Sequence, residues 1–180
     1  MTKTASPVST IHVCGVAALE ATTRAAGASH VITLIRDHGP VATPTGVESA
    51  NHLRIDINDI TVPADGLVHP QDNHVAEVLN FIRNWDHRGP MIIHCFAGIS
   101  RSTASAFSGL CALNPDVPED LIARRLRRAS PTATPNRLIV SIADDMLGRS
   151  GRMVDAIAAI GNGEPAFEAV PFALASRQAS

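Results

Sequence analysis

The sequence predicts a single α/β domain with a largely parallel central sheet flanked by helices, and three observations carry that expectation. Short apolar runs alternate with helical segments along the chain, the pattern of parallel strands joined by crossover helices. Two of those runs, 30–35 and 91–94, are apolar nearly throughout, as strands buried on both faces are. The length, 180 residues, is that of one domain and suffices for a core without disulfide or metal staples.

Residues 11–15 form a short apolar run closed by Gly15, a first strand. Residues 17–26 are Ala-rich and stop at Gly27, which reads as a helix. The β-branched run 30–35 is the second strand. Residues 36–48 hold Asp37, Gly39, Pro40, Pro44 and Gly46 and read as loop. Residues 52–57 alternate apolar and polar, a half-buried third strand. The stretch 58–73 carries Pro63, Asp65-Gly66 and Pro70, a long irregular connection of the kind that is usually functional. Val75, Val78, Leu79 and Ile82 recur at helical spacing within 74–85. After a turn at 86–90 comes the strand 91–94, and then helices over 102–113, 118–129 and 136–147. The expected organisation is a flexible segment 1–9, a domain 10–150, and a C-terminal helix with an extended tail over 151–180. No internal repeat is evident.

Composition excludes several classes. Hydrophobic residues make up 45% and charged residues 18%, as in ordinary globular proteins. A net charge of -2 gives no reason to expect nucleic acid or an acidic membrane surface as partner. Three cysteines, Cys14, Cys95 and Cys111, supply neither a disulfide framework nor zinc-ligand spacing. The eight histidines are scattered without metal-ligand pairs, so no metal and no cofactor is expected. The first ten residues lack a secretory signal and no apolar run reaches ~18 residues. A reducing cytoplasm, where a reactive thiol survives, is the expected location.

The chemistry concentrates between His94 and Ser102. A buried strand delivers Cys95 onto the loop Phe96, Ala97, Gly98, Ile99 and Ser100, which runs through Arg101 into a helix. Such a loop aims backbone N–H groups inward and adds the positive end of a helix dipole, an anion cradle. Gly98 permits the tight turn, and the planar fork of Arg101 matches two phosphate oxygens. The same positive field favours the thiolate of Cys95, a nucleophile facing a bound phosphate. A lone cysteine at a strand end is more often a core residue. Here His, Cys, Arg and Ser at fixed spacing would coincide by chance in roughly one chain in a thousand.

His94-Cys95, five residues, then Arg101-Ser102 resembles the signature loop of the protein-tyrosine phosphatase superfamily, in its dual-specificity form. The likeness extends over about residues 10–148, including Ser130-Pro131 and Pro135-Asn136 before the last helix. It implies two-step catalysis through a phosphocysteine. It further implies that His94 is a structural residue holding the loop and that the Ser102 hydroxyl assists departure of the thiolate.

The resemblance also calls for an aspartate general acid upstream of the cysteine, and Asp56, Asp59 and Asp65 are the candidates. Asp56 lies in the alternating strand and faces solvent. Asp59, just past that strand, can reach the phosphate site across the carboxyl edge of the sheet and is the choice. Asp65 is the alternative, although Asp-Gly more often makes a turn. Trp85-Asp86 lacks a proline and lies too near Cys95 for an acid loop. The absence of Tyr and the short chain depart from the classical tyrosine phosphatases, and the lysine-free loop disfavours highly anionic inositol substrates.

Cys111 reads as core. Cys14 reads as a packed thiol, with a protective disulfide to Cys95 as the alternative. Arg124, Arg125, Arg127 and Arg128 read as a solvated helix face, with a positive rim for phosphorylated substrates as the functional alternative. The apolar residues of 156–172, including Phe167, Val170 and Phe172, either pack back on the domain or form a contact between two copies. The expected partner is a phosphorylated protein or a small phosphate ester. The rival readings are a phosphate-dependent binding module with little turnover and a sulfurtransferase, the latter disfavoured by Arg101.

Overall fold

Four parallel strands and one antiparallel edge strand make the sheet of the computed structural model, which describes residues 9–36 and 39–177. All but the last residue of the expected N-terminal segment 1–9 lies outside those residues. The strands are β1 (Thr10–Gly15), β2 (His30–Leu34), β3 (His52–Ile55), β4 (Met91–Cys95) and β5 (Phe172–Ala175), in the order β3-β2-β4-β1-β5. The helices are α1 (Leu19–Ala26), α2 (Asp72–Arg83), α3 (Arg101–Leu113), α4 (Glu119–Ala129), α5 (Arg137–Met146) and α6 (Arg152–Ile160).

The parallel strands read as apolar runs because both faces of the sheet are covered. Cys14, Val31 and Ile92 point to one side and pack with Leu19 of α1 and Ala28. Ile11, Val13, Ile32, Leu34, Met91 and Ile93 point to the other, into the core formed with α2 to α6. β4 lies between β1 and β2 with all five residues buried. Its carboxyl end, which carries Cys95, is therefore firmly anchored. At the crossing of α2 and α3, a Cβ on Gly109 would lie 2.5 Å from Ile82 Cδ1, so glycine lets the two helices approach closely.

Strand β3 is shorter than the alternation of 52–57 suggests. The amide of Ile57 turns back to donate to the carbonyl of Ile55 at 3.2 Å, which ends the ladder. Asp56 projects outward and pairs with Arg36 at 2.7 Å. The long connection that follows has no regular element but is internally tied. Asn58 N donates to Val68 O and Val68 N to Asn58 Oδ1, both at 2.8 Å.

Residues 161–177 do more than trail away. Phe172–Ala175 pairs antiparallel with β1 and closes that sheet edge. The basic run of α4 explains part of this and corrects the solvated-face reading. Arg125 donates to Ala175 O at 3.1 Å, and Arg127 to Pro131 O and Gly161 O, both at 2.7 Å. Only Arg124, paired with Asp120, and Arg128 remain exposed. Met153, Ala156 and Ile157 of α6 are buried, whereas Phe167 and Val170 are exposed. Among the described residues, no helix is long and apolar enough to cross a membrane.

Candidate active site

The polypeptide leaves β4 at Cys95, runs through Phe96–Ser100 and enters α3 at Arg101. Gly98 adopts φ +73°, and a Cβ there would lie 2.7 Å from both Cys14 C and Gly15 N. Both facts disfavour a side chain at this position. The loop's carbonyls are held from outside. Val16 N donates to Phe96 O at 2.9 Å, and Ala169 N, in the C-terminal segment, to Ala97 O at 2.8 Å. Thr134 N donates to Ile99 O at 3.0 Å and Asn136 N to Ser100 O at 3.2 Å. Thr103 Oγ1 adds bonds to Ile99 O and Ser100 O.

With the carbonyls so engaged, the amides are left over. Those of Ala97, Gly98, Ile99, Ser100 and Arg101 donate no hydrogen bond among the described residues. Successive unpaired amides at the start of a 13-residue helix are an arrangement that favours anions. Arg101 is 8% exposed. Its Nη1 donates to Ile57 O at 2.9 Å, while Nε is buried without a hydrogen-bond partner among the described residues. A guanidinium anchored at Nη1 and without a hydrogen bond at Nε has donor capacity left that suits an oxyanion.

Cys95 is 2% exposed, and its Sγ lies 3.1 Å from Ser102 Oγ. Asp59 stands across the mouth of the loop. Its Oδ1 accepts from Ser100 Oγ and from Asn136 Nδ2, each at 2.8 Å, and its Oδ2 lies 3.7 Å from Arg101 Nε. Asp65 occupies the turn closed by Leu67 N donating to Ala64 O at 3.1 Å, with Gly66 at φ +76°. Of the two candidate acids, Asp59 is the one brought to the loop. An open groove of about 570 Å³ begins at Asp59 and Ser100 and is lined further along by Thr134, Asn136, Arg137 and Ile157.

Beneath the loop, His94 is fully buried. Its Nε2 lies 2.6 Å from Thr33 Oγ1 and its Nδ1 3.3 Å from Cys95 O. Burial pushes its pKa down to about 4, with the Cys95 carbonyl acting in the opposite direction and the Arg101 charge adding to the lowering. Cys14 and Cys111 are buried free thiols, both pushed up to about 12 chiefly by burial.

Cys95, Arg101, Asp59, Ser102, His94 and the loop 96–100 thus converge. Sequence reasoning missed Asn136, Thr33 and the hold of Ala169 on the loop. Asn136 had a legible signal, an Asn before a helix. It caps α5, its Oδ1 accepting from Leu138 N and Ile139 N, while its Nδ2 holds Asp59.

The sequence profile of the family described as protein-tyrosine phosphatase matches residues 59–119, from Asp59 through the whole loop and α3. No curated protein sequence matches the chain. Among solved structures, PTP-2 phosphatase of Cydia pomonella superposes with a TM-score of 0.59 at 19% identity, over 75% of this chain and 84% of that one. DUSP15 gives 0.58 at 19%, over 92% and 98%. The human tyrosine phosphatase-like serine/threonine/tyrosine-interacting protein gives 0.60 at 16%, over 78% and 92%. The profile match bears out the resemblance to the protein-tyrosine phosphatase superfamily and supports a phosphatase hydrolase, and the solved structures share the fold.

Proposed function

We propose that the chain is a cysteine-dependent phosphomonoester hydrolase working through a phosphocysteine. The observation that carries the reading is the cradle: on the loop that follows Cys95, the amides of Ala97 to Arg101 and the Nε of Arg101 make no hydrogen bond among the described residues. In the first step the Cys95 thiolate attacks phosphorus and the bond to the leaving oxygen breaks. Asp59 gives its proton to that oxygen. Its Oδ1 is committed to Ser100 and Asn136, so Oδ2 is the proton carrier. In the second step Asp59, now a carboxylate, takes a proton from water as the water oxygen attacks phosphorus. The S–P bond breaks and inorganic phosphate leaves. The Ser102 hydroxyl, 3.1 Å from Sγ, donates to the departing thiolate. Arg101 and the loop amides stabilise the equatorial oxygens in both steps.

Phosphorylated protein side chains, on Tyr or on Ser and Thr, are the favoured substrates, with small phosphate esters able to use the same cradle. The groove beyond Asp59 offers room for the residues flanking a phosphorylated side chain. Phe167 and Val170 are the exposed apolar positions of the C-terminal segment on which a contact between copies would rest. The test is hydrolysis of p-nitrophenyl phosphate and a phosphopeptide with EDTA present. Turnover abolished in Cys95→Ser supports the enzyme. Tight phosphopeptide binding without turnover by the folded wild type selects the binding module instead.

A further inference from the structure

Behind His94 a line of polar side chains runs through the sheet to the surface. Thr33 Oγ1 of β2 lies 2.6 Å from His94 Nε2 and 2.7 Å from His52 Nε2. His52 Nδ1 lies 3.1 Å from Thr43 Oγ1, which accepts from Arg54 Nη2 at 2.8 Å. Arg54 Nε in turn donates to Val41 O at 3.0 Å, anchoring the outer end. Thr33, His52 and His94 are all buried, so each needs its polar atoms satisfied inside the protein.

The proton order of this line is determined by its ends. The carbonyl of Cys95 can only accept, so His94 Nδ1 carries the hydrogen. Both rings are neutral near pH 7, each pushed down to about 4, for His52 by burial first and then by Arg54 and His94. A neutral His94 with hydrogen on Nδ1 has a bare Nε2, which must accept from the Thr33 hydroxyl. Thr33 has then spent its one proton and must accept from His52 Nε2–H. His52 Nδ1 is therefore bare and accepts from Thr43, whose oxygen accepts from Arg54. Every donor points the same way, from the Arg54 cation to the Cys95 carbonyl.

We propose that Thr33 and His52 are positioning residues, links of a one-way hydrogen-bond chain from Arg54 through Thr43 that ends on the bare Nε2 of His94 and so holds that ring and the base of the phosphate loop. A protonated His94 would present two donors, so Thr33 and His52 would have to reverse their donor order as far as Thr43. Linked dipoles oriented head to tail from a cation reinforce one another in a buried setting. The assignment of a catalytic benefit rests on the phosphatase reading. The tautomers do not.

Nitrogen-15 NMR of the histidine rings in the full chain at pH 7 reads the order directly. The expected result is opposite tautomers, hydrogen on Nδ1 in His94 and on Nε2 in His52. Thr33→Val, which keeps the shape and removes the hydroxyl, leaves His52 Nε2–H without its acceptor and is expected to abolish the single-tautomer pattern of His52. It should also lower kcat on a phosphopeptide by up to about a hundredfold with little change in KM. Thr33→Ser restores both. Hydrogen on Nε2 of His94 in the wild type, or an unaltered His52 tautomer in Thr33→Val, would overturn the chain. The wild-type tautomers stand as a test even if a variant fails to fold. Correct tautomers in a wild type without turnover would instead sink the phosphatase reading and leave the chain intact.

Discussion

Asp59 and Ser100, 41 residues apart in sequence, meet through a 2.8 Å hydrogen bond in which the loop hydroxyl donates to the carboxylate. That bond and the one from Asn136 fix the proposed acid at the mouth of the cradle before any substrate arrives. Preorganisation of this kind removes a search from the reaction coordinate.

Asp59→Asn is expected to cost about 10²–10⁴ in kcat on a phosphopeptide, the range for a lost general acid. The loss should be far smaller on p-nitrophenyl phosphate, whose leaving oxygen needs little protonation. Equal losses on the two substrates would mean that Asp59 acts by shaping the loop. Asn136→Ala should reproduce a milder version and destabilise the protein by about 0.5–2 kcal/mol through the lost helix cap.

Gly98 is the residue on which the loop's path depends. Gly98→Ala places a Cβ against the Cys14–Gly15 backbone at a positive φ, strain of about 1–3 kcal/mol. Because the loop yields more easily than the sheet, phosphate affinity should suffer more than stability. Competition by inorganic phosphate and a urea melt measure the two. A variant that keeps full activity would place the anion site elsewhere.

The two buried imidazoles make an acid-sensitive pair. Their folded pKa values lie near 4, so between pH 6.5 and 4 the unfolded chain binds more protons than the native protein. Stability is fully present above pH 6.5 and is lost as the pH falls, by up to about 3 kcal/mol for each ring. Urea midpoints at pH 7 and pH 4.5 should differ accordingly, and the difference should shrink in His52→Gln. Identical midpoints would show that the rings are protonated in the folded state.

A second buried cluster ties α4 to the segment before α6. Glu119 accepts from Arg149 Nη1 at 3.0 Å and from Arg152 Nε at 3.2 Å, and Arg149 also holds the carbonyls of Cys111 and Pro115. Glu119→Gln leaves the buried Arg149 charge uncompensated and should cost about 3–5 kcal/mol in a denaturant melt. Burial pushes the Glu119 carboxyl up, but its own backbone amide, Arg152 and Arg149 outweigh that and leave it lowered. Its contribution is thus present above the ordinary glutamate range and is lost as the pH falls through the lower folded value.

How legible the molecule was from its sequence followed from how local each determinant is. β1, β2 and β4 could be read because strands covered on both faces must be apolar, and the Cys95 loop because its chemistry needs fixed spacing. Asp59 could be read from its place just past β3. β5 could not, since Phe172–Ala175 acquires its strand character from the free edge of β1 and from Arg125. Arg125 and Arg127 looked like solvent-facing charge because the carbonyls of Ala175 and Gly161 that they bind lie 50 and 34 residues away. Thr33 was hidden for the opposite reason: a β-branched residue fits a buried strand whether or not its hydroxyl has work to do.

The central claim is that Cys95 becomes phosphorylated, and rapid-quench mass spectrometry of Ser102→Ala during turnover tests it most directly. Without the hydroxyl that assists thiolate departure, the second step slows and the intermediate accumulates. The account predicts a phosphoryl group on the peptide containing Cys95, absent in Cys95→Ser. Turnover with no phosphoryl group on that peptide, or one on another residue, would contradict it.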